Sequence, residues 1–241
     1  RLNLPTAIFH VHDPKLEQPV RVGPGTKNWV SLSELPAFVW GSAIATEDMG
    51  FFEHSGFAPG LIRRGFVMSL ARGRYAYGGS TITQQLIKNI LLDRSKHLSR
   101  KLEEAILTWM VEREVSKERI LELYVNCIEY GPDIYGIRQA ALTYFGREPQ
   151  HLRPVEAAFL MAYKPDPEMG HRMWLKQRVT PWWEKRLRTV RRRLLENAWL
   201  APGQALAMTA ERVFDRAVSK PKTAPVYELI DSAEFDPLIR P

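Results

Sequence analysis

Apolar residues recur at helical spacing in segment after segment of this 241-residue chain, and this pattern most constrains its fold. A spacing of three and four residues places side chains on one face of a helix, so each segment has one face to bury. We therefore predict a series of amphipathic helices around a shared core. The segments are 40–47, 81–89, 98–109, 120–128, 152–162 and 187–198.

Two of these segments carry specific predictions of which side chains face the core. In 98–109 the buried stripe would be Leu98, Leu102, Ala105, Ile106 and Trp109. The ion-paired outer face of that helix would then hold Arg100, Lys101 and Glu104. In 187–198 the buried stripe would be Leu187, Val190, Leu194, Leu195 and Ala198, beneath a cationic surface that includes Arg186 and Arg193.

An acidic pair, Glu47 and Asp48, ends the first segment. Glu47 shares a helical face with Ala43 and Ile44, so its carboxylate should be partly desolvated. Desolvation brings a carboxylate closer to what a general base needs near neutral pH. The alternative is a buried acid that a neighbouring arginine or a backbone amide satisfies.

A glycine pair, Gly78 and Gly79, precedes a capping box formed by Thr81 and Gln84. These residues mark a helix start, and helix N-termini bind anions. Lys88 follows about two turns along the same helix. We predict an anion-holding site here, and the alternative is an ordinary capped surface helix.

Taken together and in order, these segments resemble the peptidoglycan glycosyltransferase family, the lysozyme-like transglycosylase domain of penicillin-binding proteins and of monofunctional transglycosylases. The resemblance covers about residues 29–162. It implies a mainly α, lysozyme-like, two-lobed helical domain with a long substrate cleft. The matching motifs are Glu47-Asp48 with Phe51, His54 and Gly56, then Gly78 to Gln85, Arg100-Lys101 with Glu104, Arg119 to Asn126, and the apolar helix 152–162.

The resemblance also implies an activity. Family members polymerise lipid II into β-1,4-linked glycan strands and release undecaprenyl pyrophosphate with inversion at the anomeric carbon. Glu47 would take the proton from the acceptor's 4-hydroxyl, and Glu104 would assist across the cleft. No cofactor is required, although Mg²⁺ or Mn²⁺ could accompany the pyrophosphate. The substrate-binding positions would be Arg64, Ser80, Thr81, Gln85, Lys88, Arg94, Arg100 and Lys101.

Three positions depart from the family pattern. Ala58 replaces a usual aspartate, Met49-Gly50 replaces basic or bulky residues, and 163–167 reads Tyr-Lys-Pro-Asp-Pro where Leu-Pro-x-Pro is usual. These departures leave open an inactive scaffold of the same fold that binds lipid II. A lysozyme-like hydrolase with Glu47 as general acid is a weaker alternative, because hydrolysis by water gives no reason for the cations Lys88, Arg94 and Arg100.

The net charge of +7 suits an anionic partner. The segment 61–77 mixes large apolar and basic residues, as an interfacial segment does, and the alternative is a buried helix with an exposed basic edge. The resemblance favours contact with a membrane surface. With the resemblance, this places the domain on the periplasmic or outer face of the bacterial cytoplasmic membrane, with an anchor expected outside this sequence. The expected partners are lipid II, the growing glycan strand and other cell-wall synthases. Nucleic acid is disfavoured, because the basic, Trp-containing block around residues 182–199 keeps helical spacing.

The chain is expected to divide into an N-terminal lead-in of 1–28, a glycosyltransferase domain of 29–200 and a C-terminal extension of 201–241. A transpeptidase domain is not expected, since Ser219 to Lys222 matches the Ser-x-x-Lys motif only formally, in a Pro-rich stretch. The lone cysteine, Cys127, excludes an intramolecular disulfide and is predicted to lie in the core with Ile120, Tyr124 and Ile128.

Overall fold

The computed structural model describes residues 9–11, 20–72, 79–92, 98–164 and 166–215. Within these ranges the chain is mainly helical, which confirms the predicted fold class. The helices are α1 (Ala37–Glu47), α2 (Pro59–Arg72), α3 (Ile82–Ile90), α4 (Leu98–Glu114), α5 (Lys117–Cys127), α6 (Ile137–Phe145), α7 (Pro154–Ala162), α8 (Pro167–Lys176), α9 (Pro181–Glu196) and α10 (Pro202–Leu206). Short 3-10 turns occupy Leu32–Glu34, Pro149–His151 and Ala210–Arg212. Strand β1 (Phe9–Val11) pairs antiparallel with β2 (Val20–Val22), and β3 (Glu129–Gly131) pairs antiparallel with β4 (Ile134–Tyr135).

Helix α7 lies at the centre of the core, as its apolar sequence predicts. Every residue from Val155 to Ala162 is buried, and the helix packs against α1, α8 and α9. The one acidic residue in it, Glu156, is fully buried but accepts hydrogen bonds from the backbone and side-chain nitrogens of Arg153 at 2.7 and 2.9 Å. A charge this deep is tolerated only when it is paired and hydrogen-bonded.

Helix α4 is turned relative to the sequence prediction, which was wrong for most of its stripe. Leu102, Ile106 and Trp109 are 66%, 51% and 52% exposed, whereas Glu104 is only 3% exposed. Polar partners explain this orientation. On the buried face, Glu112 accepts a hydrogen bond from Thr83 of α3 and pairs with Lys117 at 2.8 Å, so polar residues are satisfied inside.

Close approach at Gly56 favours the same orientation of α4. A Cβ atom added at Gly56 would lie 2.6 Å from the Thr108 side chain and 2.8 Å from that of Glu112, and its φ of +85° also suits glycine. The inward face of α4 therefore fits tightly against the turn that follows α1. The apolar face is left towards solvent.

Helix α9 follows its prediction over most of its length and departs at the end. Leu187, Val190 and Leu194 are buried, but Leu195 is 39% exposed. Ala198 lies beyond the last helical residue, Glu196, in a left-handed conformation, so helical spacing no longer applies to it.

Two arginines of α9 also depart from prediction, because they turn towards α1 instead of forming an outer cationic face. Arg186 donates to the carbonyl of Thr46 at 3.2 Å, and Arg193 donates to the carbonyl of Ala45. Cations at the C-terminus of a helix pair with its unsatisfied carbonyls and its dipole.

The described part of the predicted extension packs onto the helical domain. Ala205, Met208 and Val213 are buried, and Arg153 donates to the carbonyl of Arg212 at 2.8 Å. Residues 216–241 and most of the predicted lead-in lie outside the described residues.

Helix α5 faces the core as predicted, with Ile120, Tyr124, Cys127 and Ile128 all buried. Its motif residue Asn126 clamps the segment that precedes α1. The backbone N–H of Val30 donates to Asn126 Oδ1 at 3.0 Å, and Asn126 Nδ2 donates to the Val30 carbonyl at 2.8 Å. This pair of bonds joins residues 96 positions apart in the sequence.

Replacing Asn126 by alanine is expected to lower the free energy of unfolding by about 2 kcal/mol, because a buried N–H and a buried carbonyl lose their partner. Urea unfolding monitored by tryptophan fluorescence would measure this. The matched control is Asn197→Ala, since Asn197 is exposed at the end of α9, and it should cost less than about 1 kcal/mol. Equal costs for the two variants would contradict the clamp.

Candidate active site

The two carboxylates of the acidic pair point to different places. Glu47 is the last residue of α1, and Asp48 follows with a φ of −155° and a ψ of 76°, outside the helical region. The change of backbone direction lets the adjacent side chains diverge. Asp48 is 1% exposed, and the Glu47 side chain is 12% exposed.

Asp48 ties the turn after α1 to the start of α3. Its carboxylate accepts from His54 Nε2 at 2.9 and 3.0 Å and from the backbone N–H of Ile82 at 3.1 Å. His54 Nδ1 accepts from the Gly56 N–H at 3.1 Å, and this contact assigns the ring hydrogen to Nε2. Asp48 is therefore a structural brace, a role that the sequence did not predict for it.

This brace corrects the prediction of an anion site at the start of α3. The capping box is present, with Thr81 accepting from Gln84 N–H at 3.2 Å, but the Ile82 amide already holds the Asp48 carboxylate. Thr81 itself is buried, and its hydroxyl donates to the Gly56 carbonyl at 2.8 Å. The protein's own aspartate fills the position predicted for a ligand anion.

Glu47 is held by donors on both carboxylate oxygens. Gln85 Nε2 donates to Oε2 at 3.0 Å, and Arg186 Nη2 lies 3.4 Å from Oε1. Tyr124 in turn donates its hydroxyl to Gln85 Oε1 at 3.0 Å, which fixes the orientation of the amide. Burial, followed by the charge of Glu47, raises the pKa of Tyr124 well above its usual value, so the phenol keeps the proton that it donates.

A cavity of about 350 Å³ opens beside this network. Its lining includes two cations predicted from the motifs, Lys88 of α3 and Arg100 of α4. It also includes Lys164, which follows α7 and was not predicted as a site residue. The other lining residues are Gln85, Asn89, Tyr124, Cys127, Ile128, Glu129, Tyr135 and Pro167.

Glu104 lies behind this cation set. Arg100 Nη1 is 3.6 Å from Glu104 Oε2, and Lys101 donates to Glu104 Oε1. Since the Glu104 carboxylate is buried and Arg100 lines the cavity, this ion pair restrains the Arg100 guanidinium at the cavity wall. Its predicted assistance across the cleft stays a prediction.

The remaining predicted positions are only partly described. Ser80 is half-buried, and its carbonyl accepts from Gln85 Nε2 at 3.4 Å. Arg64 lies within α2, with its side chain outside the described residues, and Arg94 is also outside them. Arg186 was missed as a site residue, since nothing in the spacing of α9 indicates a contact with a residue 139 positions earlier.

Comparison with known proteins identifies the family. A family model described as Transglycosylase matches residues 17–195. Penicillin-binding protein 1A of Aquifex aeolicus (strain VF5) is 35% identical over 219 residues, which is 91% of this chain and 28% of that protein. Biosynthetic peptidoglycan transglycosylases of Nitrosospira multiformis and Nitrosomonas eutropha are 39% and 36% identical over 67% and 79% of this chain.

The chain spans 69% and 77% of those two shorter relatives, and less than a third of the Aquifex protein. The names of these relatives confirm the enzyme class that the motifs predict, a peptidoglycan glycosyltransferase. With the family match over most of its length, the chain belongs to the peptidoglycan transglycosylase family.

Proposed function

We propose that this chain polymerises lipid II into β-1,4-linked glycan strands by an inverting reaction that releases undecaprenyl pyrophosphate. The observation that carries the proposal is the arrangement around Glu47. Its carboxylate is held by Gln85 and Arg186 beside a cavity lined by Lys88 and Arg100. In this arrangement Glu47 can remove a proton while the separate cations stabilise an anionic leaving group.

In this reaction Glu47 accepts the proton from the 4-hydroxyl of the acceptor's N-acetylglucosamine. That oxygen forms a bond to C1 of the donor's N-acetylmuramic acid as the bond from C1 to the pyrophosphate oxygen breaks on the opposite face. The bonding electrons leave with the pyrophosphate, and the configuration changes from α to β. Gln85 and Arg186 keep the Glu47 carboxylate in one orientation.

The cations of the cavity stabilise the charge that develops on the leaving pyrophosphate. Arg100 is positioned for this by Glu104, and Lys88 approaches from a different helix. Preorganised cations of this kind require little rearrangement as the charge forms. Arg64, Arg94 and Lys101 remain further candidates by motif position.

A divalent cation could travel with the pyrophosphate. Among the residues that the structure describes, no three His, Cys, Asp or Glu side chains come together to hold a metal ion. Substrate oxygens would therefore supply most of the ligands of any Mg²⁺ or Mn²⁺.

The test of this proposal is incubation of the chain with fluorescently labelled lipid II in detergent, followed by gel separation of the products. Long labelled glycan is the expected result. Unchanged lipid II with a folded chain would favour the inactive scaffold, and cleavage of preformed glycan strands would favour the hydrolase.

We also propose that the domain works at the outer surface of the cytoplasmic membrane, where a lipid-linked substrate resides. Exposed apolar side chains support this proposal, because large exposed apolar areas mark sites of protein or membrane contact. Over the described residues, no helix meets the length and hydropathy needed to cross a bilayer. Most of the large exposed apolar side chains in the described residues belong to these two helices: Ile62, Val67 and Leu70 on α2, and Leu102, Ile106, Trp109 and Met110 on α4.

Replacing both Leu102 and Trp109 by serine is expected to lower binding to phosphatidylglycerol vesicles by about tenfold or more, since two large apolar contacts with the bilayer interface are lost. Co-sedimentation would measure the bound fraction. The control is Leu206→Ser, because Leu206 is 82% exposed and lies on α10, not on α2 or α4. This variant should bind vesicles as well as the parent. Equal binding by the double variant and the parent would contradict the membrane contact.

A further inference from the structure

The cavity beside Glu47 receives a third cation, Lys164, from a segment outside the motifs. Lys164 lies two residues after the end of α7 and lines the cavity together with Lys88 and Arg100. Its ammonium donates to the carbonyl of Glu129 in β3 and lies 3.6 Å from the centre of the Tyr130 ring. These contacts hold the side chain in one place.

The sequence around Lys164 sets this chain apart from the usual family pattern. Residues 164–167 read Lys-Pro-Asp-Pro, so the prolines of Leu-Pro-x-Pro are kept, and a lysine replaces the leucine. A basic residue therefore stands where the family pattern has an apolar one. Cations from three separate elements, α3, α4 and the segment after α7, converge on one cavity as a result.

The charged and titratable groups near Lys164 lie on α1, α5, β3 and β4. Glu129 of β3 and Glu47 of α1 attract its positive charge, and the Cys127 thiol of α5 lies close by. Burial raises the pKa of Cys127 to about 12 and that of Tyr130 well above its usual value, so both stay protonated near neutral pH. Tyr124 of α5 keeps its proton for the same reason, and Tyr135 of β4 completes the lining.

We propose that Lys164 is a third anion-binding cation of this cleft, which holds the pyrophosphate of the lipid-linked donor together with Lys88 and Arg100. This proposal rests on the proposed function, because it names a binding residue for the same substrate. A diphosphate presents several oxygens to several cations at once, which matches convergence from three elements. When the cavity holds no anion, the negative charges of Glu129 and Glu47 attract the Lys164 ammonium.

Burial gives this cation a pH dependence. Partial removal from water lowers the pKa of Lys164 to about 7, with opposing contributions from Glu129 and Glu47. Below this pH the ammonium form is present and ready to bind an anion. As the pH rises through 7, the free protein loses that proton and must take it up again to bind, so binding weakens.

Isothermal titration calorimetry with inorganic pyrophosphate tests the proposal on the whole chain. Four proteins are compared at pH 6.5 and 8: the parent, Lys164→Arg, Lys164→Met and Lys185→Met. Lys185 is an exposed lysine of α9 and provides the matched control. The ionisation of pyrophosphate itself is the same for all four proteins, so differences between them report on Lys164.

The parent is expected to lose about tenfold more affinity between pH 6.5 and 8 than the Arg variant, whose charge does not titrate in this range. The Met variant should bind about tenfold more weakly than the parent at pH 6.5 and should lose the extra pH step. Lys185→Met should behave as the parent. Equal affinities of the parent and the Met variant at pH 6.5, or equal pH steps of the parent and the Arg variant, would overturn the proposal.

Two further readouts separate the possible failures. The parent's free energy of unfolding should rise relative to that of Lys164→Met between pH 7 and 9, because the unfolded chain keeps a proton that the folded chain loses. A flat difference would overturn the assigned titration. If the pyrophosphate results hold but the parent makes no glycan, the proposed function fails while the anion-binding role of Lys164 stands.

Discussion

Replacing Glu47 by glutamine is expected to lower the rate of glycan polymerisation by about 10²- to 10⁴-fold, the range that a positioned general base contributes. Glutamine keeps the size of the side chain and an oxygen that can accept from Gln85. The neutral amide lacks the negative charge and the basicity needed to take the acceptor's proton. Initial rates with labelled lipid II would give the loss, and the urea midpoint should stay close to that of the parent.

The matched control for this variant is Glu53→Gln. Glu53 is an exposed acid six residues along the chain, in the turn after α1, so its substitution changes the net charge equally without touching the cavity. We expect its rate to equal that of the parent. A Glu47→Gln variant that kept more than about a tenth of the parent rate would remove Glu47 as the base.

Replacing Asp48 by alanine is expected to lower the free energy of unfolding by about 3 kcal/mol. The substitution leaves the buried N–H of Ile82 and the His54 ring N–H without their acceptor, and hydrogen bonds to a charged group contribute about 1.5 to 3 kcal/mol each. Chemical unfolding at neutral pH would measure the loss.

Asp48→Asn is the conservative counterpart, because its amide oxygen can still accept from the Ile82 N–H. It should cost clearly less than the alanine variant and keep polymerisation activity, since Asp48 is not among the residues that line the cavity. If Asp48→Ala unfolded at the parent's urea midpoint, the brace would have no energetic importance.

The parts of the fold predicted from the sequence are those that local chemistry determines. The capping box of Thr81 and Gln84 starts α3 where the sequence indicates, and the apolar run after Pro154 forms the central helix. The buried face of α5 also follows from its spacing. In each case neighbouring residues along the chain carry the whole signal.

The orientation of α4 could not be predicted in this way. Its hydropathy pattern points to Leu102 and Trp109 as buried, but a tertiary contact decides the matter, through Thr83 on α3 and the close approach of Gly56. The membrane contact that we propose would account for the exposed apolar residues of α4, because a surface in contact with lipid need not bury its apolar side chains in the core.

The candidate site was predicted in outline and completed by contacts distant in sequence. The motifs brought Glu47, Gln85, Lys88 and Arg100 together as candidates, and the structure places all four in or beside one cavity. The side chains of Glu47 and Asp48 point in different directions because the backbone leaves the helix between them. The arginine that holds Glu47 comes from α9, far beyond the motifs, where only a general excess of basic residues was visible.

The most direct test of the central claim is to run the parent with lipid II in water enriched in ¹⁸O and to analyse the products by mass spectrometry. Glycan whose linkages contain no ¹⁸O, formed with release of undecaprenyl pyrophosphate, is the result that our account predicts, because a sugar hydroxyl is the acceptor. Incorporation of ¹⁸O at the anomeric carbon would show that water is the acceptor and would contradict a glycosyltransferase.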